Sequence, residues 1–471
     1  MKSLSNTFSY ATIGSLGLIG IALCIFPGAP LWSSLFQMLG ILVITLFVYR
    51  KVCPETAAGR WILLAVWTIL GIGFAANVWY FTTYSGGTLE DPVLYNDDAS
   101  KVWKQLILLR NGLEFDGIRM ARYALLISWI ECGSTPTINS LIMNNILVTL
   151  LTIVITGAFT AQICGDNDLS YRRKISTLSM GLISAVCYFV ASGVIIIKDA
   201  PMCLTMASIL YALSLLTHGN YRYRPWILLV IFIPIAWLVR PNLIPFIFLA
   251  ILIFAPFIQR NKWYGLCGII ILLGLLFIES KYNCYTPDLI KQDGTSLFDI
   301  HTGDEPRLAA YETISPNYES LNIWQRLIRM PFSLVVQFLT PLPWAFTRDI
   351  VFGPSMIYAH ISYPWYLIGG IVLFYIFRCL FKSPRLIAAS VIFGLCATMA
   401  TAFVTGGTVS RYCLLWLPAL IPGASWVIAS GRWRKKDFKI WSIVYIIGII
   451  LGLIIVFAAL NIYSPGGWTA K

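Results

Sequence analysis

Residues 137–174 read "TINSLIMNNILVTLLTIVITGAFTAQICGDNDLSYRRK". Residues 137–163 contain no charged side chain, and a helix of that length is longer than the ~30 Å hydrocarbon core of a bilayer at ~1.5 Å per residue. The run ends in a short loop that contains Arg172, Arg173 and Lys174. An apolar segment followed at once by a basic loop is typical of a membrane helix that ends on the cytoplasmic side.

Similar apolar runs recur along the chain of 471 residues, which is 58% hydrophobic and only 12% charged. This composition indicates an all-α polytopic membrane protein and excludes a soluble globular class. We read the net charge of +13 as a sign of membrane topology, and we expect no nucleic-acid partner. Spanning helices are predicted at residues 9–27, 32–49, 61–83, 137–163, 176–197, 202–217, 226–239, 241–258, 264–280, 363–379, 386–404, 412–430 and 440–463.

The basic residues fix the predicted orientation. With the N-terminus inside, every basic cluster between these runs falls on the cytoplasmic side, which then has a net charge of +15 against −2 outside. The sequence therefore predicts about thirteen spanning helices in a multi-pass protein of the inner (plasma) membrane. The segment 330–346, with Pro331, Pro341 and Pro343, is predicted to be re-entrant or interfacial on the outer side.

This topology divides the chain into three parts. Residues 1–60 form a predicted N-terminal transmembrane hairpin, residues 61–430 form the core, and residues 431–471 form a C-terminal helix and tail. The core has two long outer loops, 84–136 and 281–362, and long loops of this kind commonly contain functional residues.

The first outer loop contains the stretch "LYNDDASKVWKQL" at residues 94–106. Its two carboxylates, Asp97 and Asp98, stand before a predicted amphipathic helix on the outer membrane surface. One interpretation is that they cap this helix. The other is that one of them acts as a base or as a metal-linked carboxylate.

Further ionisable residues stand at predicted outer helix ends: Lys198 and Asp199 in "IIIKDAPM", Arg240 in "WLVRPNLIP", and Arg411 in "GGTVSRYCLLWLPALIP". Placing an ionisable side chain within or close to the membrane costs free energy, so such residues are candidates for function. A single arginine at a helix end can also be an interfacial anchor. Three cationic groups and a double aspartate on one side of the membrane favour a shared site.

The order of these motifs resembles the GT-C superfamily of membrane glycosyltransferases that use polyprenyl-phosphate sugars, the branch that includes protein O-mannosyltransferases and lipid A aminoarabinose transferases. The similarity covers roughly residues 84–430 and consists of "YNDDASKVWKQLILLRNG", "KDAP", "LVRPN" and "SRYCLLWLPALIP".

The resemblance implies a GT-C-like fold and transfer of a sugar from a polyprenyl-phosphate donor to a lipid, glycan or protein acceptor on the extracytoplasmic side. It implies Asp97 or Asp98 as the catalytic carboxylate and Lys198, Arg240 and Arg411 as ligands of the donor phosphate. Asp199 and Tyr412 would support them, with Asp199 orienting Lys198 or serving as a second carboxylate. The motifs identify no cofactor with certainty, and participation of a divalent metal is left open.

Three further features of the sequence are weaker signs of a metal site. The stretch "GDND" at 165–168 has a metal-binding form but is interpreted as a turn. His301 and His360 lack the helical spacing of a zinc site. The competing functions are a repeat-unit (O-antigen or capsule) polymerase and a lipid-linked sugar transporter, although a transporter favours mid-membrane charges and repeated halves.

Overall fold

The computed structural model describes residues 31–84, 138–165, 168–194, 199–218, 223–239, 243–258, parts of 262–274, 323–339, 363–405, 415–434 and parts of 436–450. Within these ranges the chain is helical and no strand occurs. The helices are α1 (Leu31–Val52), α2 (Ala57–Tyr84), α3 (Ile138–Ile163), α4 (Leu169–Ser184), α5 (Cys187–Ala191), α6 (Asp199–Thr217), α7 (Arg224–Val239), α8 (Ile244–Phe254), α9 (Ile323–Leu339), α10 (Tyr363–Arg378), α11 (Arg385–Thr405) and α12 (Leu417–Ala429).

In the described ranges, four segments are long and apolar enough to cross a membrane: Ala57–Ala76, Ile142–Ile163, Asp199–Thr217 and Arg385–Phe403. The shorter apolar helices α7, α8 and α12 pack beside them, and α10, also short and apolar, packs against α12. The protein is therefore an all-α membrane protein. The predicted span at 9–27 lies outside the described residues.

Two predicted segments begin seven residues earlier in the structure than expected. The span expected at 176–197 begins earlier, because the Asp168 side chain caps the start of α4 by accepting hydrogen bonds from the backbone N–H groups of Ser170 and Tyr171. It is then interrupted after Ser184, whose hydroxyl donates to the Met180 carbonyl at 2.7 Å, a contact that often bends helices.

The segment expected at 330–346 begins seven residues earlier, as the start of helix α9. Pro331 lies inside this helix. Polar side chains at Gln325 and Arg326 made the first half of α9 resemble a loop in the sequence. Trp324 and Ile328 are nevertheless spaced by one helical turn and are both exposed on its surface.

Helix α6 lies at the centre of the bundle. Helices α3, α7, α8 and α12 all pack against it, and its residues from Asp199 to Leu216 are buried. The surrounding helices approach closely where one of them has a glycine. A Cβ at Gly157 of α3 would lie 2.7 Å from Met180 Cγ of α4, and one at Gly394 of α11 would lie 2.7 Å from Leu420 Cδ2 of α12. Small residues at helix contacts are the usual means of close packing in membranes.

Three buried threonine hydroxyls of α3 make hydrogen bonds to their own helix, and one of them also reaches α4. Thr152, Thr156 and Thr160 each donate to the carbonyl four residues earlier, at 2.7–2.8 Å. The Thr160 hydroxyl also shares a 2.8 Å hydrogen bond with Ser179 of α4. A buried hydroxyl that satisfies its own helix in this way adds little cost to an apolar bundle.

Several contacts bring the basic helix ends together at one end of the bundle. Gly165 after α3 faces Pro384 before α11, with 3.6 Å between a Gly165 Cβ position and Pro384 Cβ. Lys174 of α4 donates to the Ala429 carbonyl at the end of α12. Phe254 near the end of α8 stacks at 6.4 Å on Phe159 near the end of α3.

The end of α6 lies there too. Lys262, which follows α8 in the chain, donates to the carbonyl oxygens of Leu216 and His218 at 3.3 and 3.0 Å and so caps the C-terminus of α6. We call this side of the molecule the basic end. Arg50, Arg60, Arg172, Arg173, Lys174, Lys262, Arg378, Lys382, Arg385 and Arg432 all stand at helix ends or in turns on this side.

Candidate functional site

Asp199 is the one predicted site residue that falls within the described residues, and it is completely buried. It is the first residue of α6, where the partial positive charge of a helix N-terminus favours a carboxylate. Since α6 ends at the basic end, Asp199 stands at the opposite end, about 27 Å away for a helix of this length. The sequence-based placement of Asp199 at a turn opposite the basic loops agrees with this position.

The helices around α6 differ in length. Helix α12 is about 18 Å long and α7 about 22 Å, whereas α3 is about 37 Å long at 1.5 Å per residue. Both α7 and α12 are shorter than α6. Val239, the last residue of α7, directly precedes Arg240 in the sequence, and Leu415 near the start of α12 follows Arg411 by four positions.

Trp416 lies beside the start of α12 and was not singled out by the sequence. Its side chain is buried between two phenylalanines, with ring centroids 4.5 Å from Phe246 of α8 and 6.0 Å from Phe393 of α11. Its indole N–H donates to no acceptor in the described part of the chain. A buried donor without an acceptor costs free energy, and such a donor commonly indicates a water or ligand contact.

The sequence offered a weak sign of Trp416. Tryptophan within an apolar run usually reads as an interfacial anchor, because its ring is amphipathic. Only the packing of α8 and α11 against the ring distinguishes this residue from such an anchor.

The other predicted site residues lie outside the described residues. These are Asp97, Asp98, Lys198, Arg240, Arg411 and Tyr412, and the histidines His301 and His360 lie outside as well. Their grouping at one site stays a prediction. In the described ranges no group of three or more His, Cys, Asp or Glu side chains could hold a metal ion.

The "GDND" stretch is structural where it is described. Asp168 caps α4 through its two carboxylate oxygens, at 3.0 Å from the Ser170 nitrogen and 3.3 Å from the Tyr171 nitrogen. Gly165 has a φ of 71°, which closes the turn after α3. The interpretation of this stretch as a turn is confirmed for these two residues, and Asp166 lies outside the described ranges.

No protein-family model, no curated protein and no solved structure matches this chain. The resemblance to GT-C transferases therefore rests on four short motifs and their order along the sequence.

Proposed function

We propose that this protein is an integral membrane glycosyltransferase of the GT-C type. It would move a sugar from a polyprenyl-phosphate donor to a hydroxyl acceptor, which is a lipid, a glycan or a protein. The proposal includes thirteen spanning helices in the cell inner (plasma) membrane, with the active site on the extracytoplasmic side.

The observation that supports the proposal most is the burial of Asp199 at the end of the central helix opposite the basic end. Burying a carboxylate requires compensating interactions, so a chain with few charges would not keep one there without a structural or chemical use. In the "KDAP" motif, Lys198 precedes Asp199 directly. Helix α7 ends directly before Arg240, and α12 begins six positions after Arg411.

The proposed chemistry accounts for this set of residues. The acceptor hydroxyl oxygen attacks the anomeric carbon, the bond from that carbon to the phosphate oxygen breaks, and the phosphate leaves with the electron pair. Because the leaving phosphate is already a stable anion, it needs cations more than a general acid. Lys198, Arg240 and Arg411 supply them.

The hydroxyl proton passes to a carboxylate, for which Asp97 or Asp98 is proposed. Asp199 then orients the Lys198 ammonium or serves as a second carboxylate. A divalent metal would be compatible with either role. A repeat-unit polymerase would use the same donor chemistry with a lipid-linked glycan as acceptor.

One observation favours the transporter alternative. The segment 169–194 is interrupted at residues 185–186, between α4 and α5, and interrupted helices often form substrate sites in transporters. Asp199, however, lies about 27 Å from the basic end by the length of α6, and in the proposed topology this distance exceeds half of a ~30 Å hydrocarbon core. This position fits a site at the outer surface better than a mid-membrane binding site.

The test is a transfer assay with purified full-length protein, a polyprenyl-phosphate sugar and envelope glycolipid acceptors, supported by mass spectrometry of envelope glycans with and without the protein. We expect Asp199→Asn to lower transfer strongly. Asp168→Asn is the matched control, since asparagine caps a helix about as well as aspartate. If neither the purified wild-type protein nor cells that contain it transferred sugar, the proposed activity would be contradicted. Normal transfer by the Asp199→Asn protein would show that Asp199 does not belong to the site.

A further inference from the structure

Two neighbouring segments at the basic end combine exposed aromatic rings with cations. The first is the turn between α10 and α11 together with the adjoining helix ends, residues 377–385, and the second is the described part of 432–439 after α12. We call the two together the basic patch. In the turn, the Phe381 side chain is 97% exposed and that of Phe377 is 79% exposed. Water contact with two such rings is unfavourable, which indicates that something apolar covers them.

Cations surround these rings. Arg378, Lys382 and Arg385 are exposed in the turn, which contains no acidic residue. Arg432, Arg434, Lys436 and Lys439 are exposed in the second segment. Its one acidic residue, Asp437, accepts a hydrogen bond from the Arg434 backbone N–H at 3.0 Å.

The packing holds both segments against the bundle. The Trp433 ring meets Phe374 of α10 edge-on, with centroids 5.1 Å apart. Arg432 lies 4.7 Å above the ring of Trp426 in α12.

The direction in which the second segment leaves α12 is also fixed. Gly431 has a φ of 66°, its N–H donates to the Ile428 carbonyl, and the Arg432 N–H donates to the Val427 carbonyl. This pair of bonds is a Schellman motif, in which a glycine ends the helix. The cations of the two segments therefore stand on a surface of defined shape.

A second basic cluster of the protein is built differently. In the loop between α1 and α2, Glu55 pairs with Arg50 at 3.8 Å and with Arg60 at 3.6 Å. Those arginines are partly neutralised by a carboxylate of the same loop. If the basic residues served only to set the membrane topology, this partly neutralised cluster and the basic patch would serve that purpose equally well.

We propose that the basic patch binds the headgroup of an anionic phospholipid of the cytoplasmic leaflet, with Phe377 and Phe381 inserted among the acyl chains. The charge complementarity identifies the occupant: this leaflet is negatively charged, and cations near its surface attract it. A second copy of the chain would bring the same cations face to face. The proposal needs the basic end to face the cytoplasm but does not depend on the sugar chemistry at the opposite end.

The test uses purified full-length protein, stripped of lipid and returned to nanodiscs of phosphatidylcholine with increasing phosphatidylglycerol. Native mass spectrometry counts phosphatidylglycerol that stays bound, and a thermal scan follows the shift in melting temperature. The patch variant carries Lys382→Gln, Arg385→Gln and Arg434→Gln. The control variant carries Arg50→Gln, Lys51→Gln and Arg60→Gln, which removes the same charge. Cysteine labelling of intact cells verifies that both variants keep the wild-type orientation in the membrane.

At roughly fivefold per cation near a membrane surface, we expect phosphatidylglycerol to bind the patch variant on the order of a hundredfold more weakly. The control variant should keep wild-type retention. Phe381→Ser should lower retention without changing the charge. Equal loss in both charge variants would mean that only total charge matters and would overturn the site. Undiminished retention by the patch variant would overturn it too, as would conversion of a dimer to a monomer by Phe381→Ser.

Discussion

The Lys174 ammonium donates a 2.9 Å hydrogen bond to the carbonyl oxygen of Ala429, although 255 positions separate the two residues in the chain. Lys174 lies near the start of α4 and Ala429 is the last residue of α12. The carbonyls at a helix C-terminus have no partners within the helix and carry partial negative charge. The lysine therefore joins an early helix to a late one at the basic end.

Replacing Lys174 by glutamine should weaken this junction. We expect a loss of about 0.5–1 kcal/mol in the free energy of unfolding, because the side chain is exposed and water competes for the bond. The measurement is thermal or denaturant unfolding in detergent, followed by tryptophan fluorescence. Arg173→Gln is the matched control, one residue away and also exposed. Equal effects of the two changes would show that charge, and not this hydrogen bond, matters.

Gly423 of α12 should tolerate no side chain. A Cβ there would lie 2.7 Å from Val391 Cγ2 of α11 and 3.1 Å from the Tyr375 ring of α10. A branched side chain and an aromatic ring cannot give way easily, so Gly423→Ala should destabilise the protein by about 1–3 kcal/mol.

The control for that change is Gly274→Ala, since a Cβ at helical Gly274 would meet no atom of the described residues within 4 Å. Alanine there should leave stability unchanged or raise it by about 0.5–1 kcal/mol, because it favours the helix. Comparison of the two melting curves checks both expectations. A neutral Gly423→Ala would mean that α10, α11 and α12 pack less closely than described.

Hydropathy predicted where helices lie but not which helix lies at the centre. The segments Ala57–Ala76 and Asp199–Thr217 have the same mean hydropathy, yet a third of the first is buried in the protein and nearly all of the second. A lipid tail and a leucine side chain are equally apolar, so a helix that faces lipid and one that faces protein need no different composition. The central position of α6 therefore could not be predicted from its sequence.

Helix ends were predictable where a polar side chain marks them. Asp168 and the basic residues after it located the turn between α3 and α4. The interruption after Ser184 gave no such sign, since residues 185–194 are nearly as apolar as a continuous span.

In the candidate site, too, the sequence revealed a residue where a polar side chain interrupts an apolar run. Asp199 was visible as a carboxylate at the start of an apolar run, whereas the unpartnered indole of Trp416 depends on packing between α8 and α11.

Trp416→Phe tests whether that indole N–H contacts the substrate. The change keeps an aromatic ring between Phe246 and Phe393 but removes the donor. If the N–H binds a donor-sugar or phosphate oxygen, KM for the polyprenyl-phosphate sugar should rise about three- to tenfold, as for loss of one neutral hydrogen bond. Trp426→Phe in the same helix, far from that end, is the control. Unchanged KM in a well-folded Trp416→Phe protein would return Trp416 to a packing role.

Arg240→Ala and Arg411→Ala should each weaken use of the donor strongly. Each removes a charge-assisted contact to the phosphate, worth about 1.5–3 kcal/mol, or roughly 10- to 150-fold in kcat/KM. Both proteins should still fold, since the two residues stand next to helix ends in the sequence. Arg173→Ala, at the basic end, should transfer sugar normally. Wild-type turnover by a well-expressed Arg240→Ala or Arg411→Ala protein would assign that arginine to membrane anchoring.

Replacing Asp97 and Asp98 one at a time distinguishes a capping role from a catalytic role. Asparagine caps a helix about as well as aspartate, so two purely structural aspartates should both tolerate replacement by asparagine. A general base cannot, because the amide takes up no proton, and its loss should lower turnover about 10²–10⁴-fold while expression and donor binding stay intact.

Paired assays of purified Asp97→Asn and Asp98→Asn therefore decide the role, with donor binding measured separately from turnover. We expect one of the two to be inactive and the other to be mildly affected, and we favour Asp97 as the base because the residue nearer the helix is the more natural cap. Near-normal transfer by both variants would contradict the assignment. The search for the base would then move to Asp199, whose carboxylate is buried at the same end of the bundle as the predicted donor site.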